Sequence, residues 1–138
     1  MKKAAIILAA VLSFYGTAAL AHEAGGEKSK VGVVFDKELP NVPGKSLRAV
    51  VVDYGPGAAS PSHRHPASAF IYATVLKGAI RSKVNDGPEK TFKAGESWTE
   101  QPGDHHQVSA NASTTEPAQL LAIFVVDTKD KQILFPDK

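Results

Sequence analysis

Cysteine is absent from the 138-residue chain, and this absence narrows what the protein can be. Without a thiol there is no lipid-modified cysteine to hold the protein on a membrane, and no disulfide can brace the fold. After residue 21, no stretch of ten or more residues has the apolar spacing of a helix, and no internal repeat is visible. The sequence therefore indicates neither a helical domain nor a repeat array.

The first 21 residues have the three-part pattern of a secretory signal. Lys2-Lys3 forms a basic start, residues 4–20 are mostly apolar and small, and Ala19-Leu20-Ala21 is an A-x-A-type cleavage site. The alternative is a membrane anchor, but the apolar run is short for a transmembrane span. We therefore expect residues 1–21 to be removed as a signal peptide and the mature protein to be periplasmic or secreted, with no membrane attachment.

The mature chain carries little net charge. Removing Lys2 and Lys3 leaves equal numbers of basic and acidic residues, so the formal charge of +2 belongs to the leader. No basic patch remains that would indicate nucleic-acid binding. The remaining chain has the length of one domain with a single core, and we expect its partner to be a small molecule.

From residue 31 onward, short apolar runs alternate with turn residues. Residues 22–30 are polar and contain glycine, so we expect a flexible arm before a domain over residues 31–138. Strands are predicted at Val31–Phe35, Leu47–Tyr54, Ala69–Leu76, Ala79–Val84, Lys90–Phe92, Ser97–Glu100, His106–Ser109 and Gln119–Val126, with an edge segment in the tail Gln132–Pro136. Short strands at roughly 8–12-residue spacing predict an all-β sandwich or barrel.

Four of the five histidines fall in two clusters, His63-Arg64-His65 and His105-His106. Alternate residues of a strand share a face, so His63 and His65 are expected to project together and Arg64 to point away. A later turn and strand can bring a third imidazole to the same place. Because imidazole suits zinc, copper, iron and nickel, three such rings predict a transition-metal centre with open positions.

The two clusters lie in stretches that resemble the two motifs of the cupin family. Gly57, five further residues and His63-Arg64-His65 are similar to the first motif, G(x)5HxH. Gly95 and the stretch ending in Gln101-Pro102-Gly103-Asp104-His105-His106 are similar to the second, G(x)5PxG(x)2H, with Gln101 in place of a proline. The resemblance implies a single jelly-roll β-barrel with its site in the mouth. It also implies that His63, His65 and His106 hold a divalent transition metal (Fe, Mn, Ni, Cu or Zn).

The chain departs from the family pattern in two ways. Members commonly carry a glutamate separated from the second histidine by three or four residues, where this chain has Ala69 and Phe70. The interval from His65 to Gly78 is also longer than usual, which predicts a β-bulge there. Either three histidines hold the ion alone or another group substitutes.

Glu100 is our candidate for the substitute. It ends a predicted strand next to the second motif and shares a face with Trp98, so it points inward if Trp98 does. A carboxylate there could bind metal, orient a histidine or act as a general base, and the alternative is a solvated carboxylate at the rim. Phe70, Tyr72 and Trp98 are candidate pocket walls, with core packing as the alternative for the first two. His105 is expected beside the site, as a hydrogen-bonding neighbour of a ligand.

Two functions fit this site. One is a metal-dependent oxidoreductase of the dioxygenase type, acting on a small organic substrate, because three-histidine centres occur among cupin dioxygenases. The other is a non-catalytic cupin that binds a metal or a small ligand. The apolar run Ile133-Leu134-Phe135 in the tail either packs across a homodimer or covers its own barrel.

Overall fold

The computed structural model describes residues 29–138, and the expected signal peptide and most of the arm lie outside them. The described chain folds into eleven β-strands and contains no helix, as the all-β prediction required. The strands are β1 (Lys30–Glu38), β2 (Lys45–Tyr54), β3 (Ala59–Ser60), β4 (His63–Arg64), β5 (Phe70–Lys77), β6 (Ala79–Val84), β7 (Lys90–Lys93), β8 (Ser97–Glu100), β9 (His105–Asn111), β10 (Ala118–Asp127) and β11 (Phe135–Pro136). Among these residues there is accordingly no helix able to cross a membrane.

The strands form two sheets that face each other, which is the jelly-roll arrangement. One sheet has the order β1-β2-β10-β5-β8, and the other has the order β11-β4-β9-β6-β7, with β3 beside β9. All pairings are antiparallel. The two motif stretches are distant in sequence, and the pairing of β4 with β9 brings them together in space.

Alternation along the strands decides which side chains form the core. In β10 every second residue is buried, and Leu120, Ala122, Phe124 and Val126 point between the sheets. β5 behaves in the same way, with Ile71, Ala73 and Val75 turned inward. Burial of these aliphatic faces supplies the main stabilisation, at about 25 cal/mol per Å² of apolar area removed from water.

The predicted bulge lies at the end of β5. Gln119 pairs with Lys77 and Leu120 pairs with Val75, so Leu76 is the extra residue on this strand. The bulge absorbs the additional residue between His65 and Gly78 without moving Ile71 and Ala73 off the inner face.

The tail covers its own barrel. Ile133 packs against the core, and β11 adds an edge strand beside β4. The short strands β3 and β4 are not among the strands predicted from the sequence, because segments of two residues carry no periodic signal.

Gly78, in the tight connection between β5 and β6, provides a first prediction. Its φ of +70° is unfavourable for other residues, and an added Cβ would lie 2.8 Å from the carbonyl oxygen of Pro117 and 3.0 Å from Cβ of Ala118. We expect Gly78→Ala to lower the free energy of unfolding by about 2–4 kcal/mol, the sum of left-handed strain and overpacking. Urea unfolding measures the loss.

Gly95 supplies the matched control. Its φ is +88°, but an added Cβ meets nothing within 4 Å. Gly95→Ala should therefore cost only the strain, about 1–2 kcal/mol. Equal losses in the two variants would show that the approach of Pro117 and Ala118 is not what requires glycine at position 78.

Candidate metal centre

Three of the predicted ligand histidines meet at the β4–β9 ladder. His63 and His106 are direct cross-strand partners, and His65 lies just past the end of β4. One ligand nitrogen of each ring lies within 4.8 Å of those of the other two. Arg64 points away into solvent, as strand alternation requires.

Hydrogen bonds from the outer nitrogen of each ring fix its orientation. Nδ1 of His63 donates to the Pro61 carbonyl at 2.7 Å, and Nδ1 of His65 donates to the Ile133 carbonyl at 2.6 Å. These bonds leave Nε2 of both rings as the free acceptor. His106 is held in the opposite sense, because its Nε2 lies 2.9 Å from the hydroxyl of Ser82. Its Nδ1 is then the nitrogen turned toward the centre. Such outer partners orient ligand rings in metal sites.

Glu100 lies against this cluster and is not a solvated rim carboxylate. Its side chain is buried, and Oε1 accepts a hydrogen bond of 3.1 Å from the indole nitrogen of Trp98. Oε1 also lies 3.2 Å from Nδ1 of His106, and Oε2 lies 3.5 Å from Nε2 of His65. Oε2 is buried and has no hydrogen-bond partner. A buried carboxylate oxygen without a donor is costly unless something else binds it.

Burial sets the protonation of these four groups. Burial, with a smaller contribution from neighbouring imidazoles, lowers the pKa of His65 to about 4 and that of His106 to about 3. Burial also lowers the pKa of His63 and raises the pKa of Glu100 to about 7. The rings are therefore neutral at pH 7, so their contacts with Glu100 are not ion pairs. Neutral imidazole is the form that binds a metal.

The donor set fits a divalent transition metal. It combines three oriented imidazoles, whose ligand nitrogens lie within 4.8 Å of one another, with the unpartnered carboxylate oxygen of Glu100, which lies 3.5 Å from Nε2 of His65. Bonds from nitrogen to zinc are about 2.0 Å long, so bringing the three nitrogens onto one ion takes side-chain shifts of less than about 1 Å. A cation bound by the three histidines would also give Glu100 an opposite charge, and an adjacent positive charge favours the ionised carboxylate.

His105 does not contact the cluster, so its predicted place beside a ligand histidine is wrong. Its Nε2 lies 2.9 Å from the Ser62 hydroxyl and 2.7 Å from Oδ2 of Asp137, on the outer side of the sheet. The reason is alternation, since adjacent residues of β9 face opposite sides. His105 thus ties down the C-terminal end of the chain.

Phe70 and Tyr72 are not pocket walls either. They are 39% and 42% exposed on the outer face of β5, where they alternate with Ile71 and Ala73 on the inner face. Trp98 faces inward, but it is not among the residues that line the cavity beside the histidines. It packs against Phe92 at a centroid distance of 4.7 Å and lies beside Glu100.

Sequence reasoning missed two groups that hold the rings. Ser82 carried no signal, because a lone serine on a strand is ordinary. The Ile133 carbonyl is a backbone atom 68 residues from His65, and only the folded tail brings it there. The structure shows that the tail completes the centre.

A cavity of about 260 Å³ opens beside the cluster. Its walls come from both sheets and from the tail residues Ile133 and Leu134. At the end formed by β2 and β9, the Tyr54 hydroxyl lies 2.7 Å from Ser109 Oγ and 3.2 Å from Ser60 Oγ. The hydroxyl groups at this end hydrogen-bond one another. The histidines and Glu100 therefore form the one reactive end of the cavity.

Residues 50–124 match the Cupin domain family, and the chain belongs to this family. The stretch covers both histidine-bearing strands and the carboxylate of β8. The fold, the three-histidine group and the family match together define a cupin with a group of side chains that can hold a metal ion.

Individual relatives are distant. The chain is 25% identical over 77 residues to a cupin-domain-containing oxidoreductase, fogC, of Aspergillus ruber, and this match covers 56% of the chain and 37% of that protein. The chain therefore corresponds to little more than a third of that relative.

Solved structures show the same fold. An uncharacterised conserved protein with a double-stranded β-helix domain from Klebsiella pneumoniae superposes with a TM-score of 0.63 at 22% identity, over 80% of this chain and 86% of that one. Oxalate oxidase in complex with the substrate analogue glycolate superposes with a TM-score of 0.56 at 23% identity, over 71% and 51%.

Proposed function

We propose that the protein is a metal-dependent oxidoreductase of the dioxygenase type that acts on a small organic substrate. The observation that carries the proposal is the unpartnered Glu100 Oε2, buried against three neutral imidazoles at the end of a cavity. The similarity to a cupin oxidoreductase supports the class of reaction. The distant fold matches contribute the architecture alone.

In this proposal the side chains divide the work. His63, His65 and His106 would hold the ion, with Glu100 as the fourth donor. The bound metal would supply a Lewis-acid and redox centre with positions open to dioxygen and to a substrate oxygen. Ser82 and the carbonyls of Pro61 and Ile133 keep the rings aimed, because each bond fixes one ring nitrogen. The aliphatic walls exclude water.

A non-catalytic cupin that binds a metal or a small ligand is the second candidate. It applies if Glu100 and the three histidines close the coordination of the ion, because a fourth protein donor leaves fewer open positions than three histidines would. Structural zinc sites, in contrast to catalytic ones, are closed by four protein ligands. Oxygen chemistry separates the two candidates.

The cellular location and assembly belong to the same proposal. The basic, apolar and A-x-A pattern of residues 1–21 supports export to the periplasm or outside the cell. A homodimer is supported by the outer face of the β1–β8 sheet, where Phe70 and Tyr72 are exposed. The ion pair of Lys45 and Asp127, at 2.7 Å, lies at one end of that face, which gives an apolar centre with a charged rim.

The test is oxygen consumption by the mature protein loaded with one metal at a time. After chelation, separate samples receive Fe(II), Mn(II), Ni(II), Cu(II) or Zn(II), and bound metal is counted by elemental analysis. We expect one ion per chain. We also expect oxygen uptake that matches substrate loss in a panel of thiols, flavonols and simple diketones with at least one of the redox-active metals.

Zinc is the matched control, because it binds the same ligands without redox chemistry. Zinc-loaded protein should consume no oxygen. One bound ion per chain with no uptake for any metal would reject the oxidoreductase in favour of the binding protein. Failure to retain any metal would reject the oxidoreductase and a metal-binding cupin, and would leave only a cupin that binds a small organic ligand.

A further inference from the structure

The cavity beside the metal centre is a built feature of the barrel. Protein interiors are close-packed and leave few voids larger than a water molecule, yet this one is about 260 Å³. Ligand pockets are commonly about 300–1,000 Å³, so the space is suited to a molecule smaller than a typical drug.

Its walls are almost entirely hydrocarbon. Among the described residues that line it are Val50, Val52, Ile71, Leu120 and Phe124, and none is a lysine or an arginine. The buried Arg48 nearby on β2 is engaged elsewhere. Its Nε bonds Asp36 at 3.0 Å, and its Nη1 donates to the carbonyls of Asp130 and Lys131. The cavity walls thus offer no cation to an anionic ligand.

We propose that this cavity takes a small, uncharged, mainly apolar molecule with a single polar group, and that it rejects dicarboxylates whose charges are several carbons apart. The polar group would face the imidazoles and Glu100, and the carbon body would contact the aliphatic walls. Such a dicarboxylate could place only one carboxylate at the centre, and its second charge would lie unpaired against hydrocarbon, which is strongly unfavourable. This inference rests on the proposed function, because the ion of that proposal is what would bind the polar group of the ligand.

Two facing alanines set the room available. Ala73 on β5 and Ala122 on β10 are direct cross-strand partners, and both line the cavity. A larger side chain at either position would project into the space from the sheet floor, because β-strand side chains stand perpendicular to the sheet. We therefore assign Ala73 and Ala122 as the residues that determine ligand size.

The experiment uses zinc-loaded mature protein, which binds without turnover, and isothermal titration calorimetry. The probes are cyclohexanol as the neutral apolar molecule and adipate as the dicarboxylate, because four methylene groups separate its two charges. We expect cyclohexanol to bind at least tenfold more tightly than adipate. Ala122→Leu should weaken cyclohexanol binding at least tenfold and still retain one zinc ion per chain. Trp98, the sole tryptophan of the chain, reports independently through its fluorescence.

Ala49→Leu is the matched control. Ala49 lies on β2 but does not line the cavity, so the same substitution there should leave cyclohexanol binding within about twofold of wild type. Adipate binding as tight as that of cyclohexanol, or unchanged cyclohexanol binding in Ala122→Leu, would overturn the inference. Failure of the proposed function shows differently: cyclohexanol binds as expected while no metal supports oxygen uptake.

Discussion

Replacing His106 with alanine is expected to abolish stoichiometric metal binding. The change removes one of three imidazoles and leaves Nε2 of His65 and His63 without their third partner. Loss of an outer hydrogen-bonding residue typically weakens metal binding 10–100-fold, so loss of a ligand should weaken it by more than about 100-fold. Elemental analysis after gel filtration measures the occupancy directly.

Thermal stability gives a second measure of the same loss. A ligand that binds only the folded state stabilises it in proportion to the logarithm of its concentration over Kd, about 2.7 kcal/mol at 100 times Kd. Wild-type protein should therefore melt several degrees higher with saturating zinc, whereas His106→Ala should show almost no zinc-dependent shift.

His105→Ala is the natural control, because it changes the adjacent residue of the same strand. His105 bonds Ser62 and Asp137 on the outer side, so this variant should keep its metal. Loss of metal from His105→Ala with retention in His106→Ala would show that the register of the second motif is off by one and that the ligand set is wrong.

The spacing of the histidines in the sequence predicts the metal centre. The sequence does not reveal the hydrogen bonds that orient the three rings. Two motif stretches, each on a strand and turn, suffice to place His63, His65 and His106, because an antiparallel ladder joins residues at fixed register. Glu100 could be chosen because it shares strand parity with Trp98. Neither argument uses contacts between residues distant in sequence, apart from those that the family resemblance implies.

The wrong placement of Phe70 and Tyr72 has a physical origin. Parity within a strand is clear from sequence, but which parity faces the core depends on pairing with the next strand. Phe70 and Tyr72 were candidates for the pocket wall or the core, yet Ile71 pairs with Glu100 and Ala73 with Trp98 on the inner face. Had the inward placement of Trp98 been combined with this register, the small residues of β5 would have been identified as the lining.

The tail was open to two interpretations for a similar reason. An apolar run such as Ile133-Leu134-Phe135 buries itself against whatever surface it can reach. In the structure Ile133 packs on the core and its carbonyl accepts a hydrogen bond from Nδ1 of His65, while Phe135 is 44% exposed. The run therefore packs against its own barrel, and a dimer would have to form through another face.

Glu100→Gln is expected to act in opposite directions on the metal-free and metal-bound protein. In the metal-free fold, burial raises the pKa of Glu100 from 4.5 to about 7. A raised carboxyl pKa means that the favourable contribution is fully present below pH 4.5 and is lost as the pH rises through 7. Since one pKa unit corresponds to about 1.4 kcal/mol, the ionised carboxylate costs about 3 kcal/mol of stability above pH 7.

Glutamine carries no charge at any pH, so it avoids that cost. Metal-free Glu100→Gln should be more stable than metal-free wild type at pH 8, by up to about 3 kcal/mol, and nearly equal to it at pH 4.5. Urea unfolding at the two pH values measures the difference. The histidine contributions are common to both proteins and cancel in the comparison. Glu116→Gln, at an exposed position, is the matched control, because the substitution removes no buried carboxylate.

With metal the order reverses. The cation stabilises the ionised carboxylate, so removing the charge should weaken metal binding at least tenfold and reduce the zinc-dependent rise in melting temperature. A group that destabilises the empty fold and stabilises the occupied one is retained for its ligand, because stability alone would have replaced it. If Glu100→Gln proved less stable than wild type in the metal-free state at pH 8, Glu100 would be a structural residue and the fourth-donor assignment would be lost.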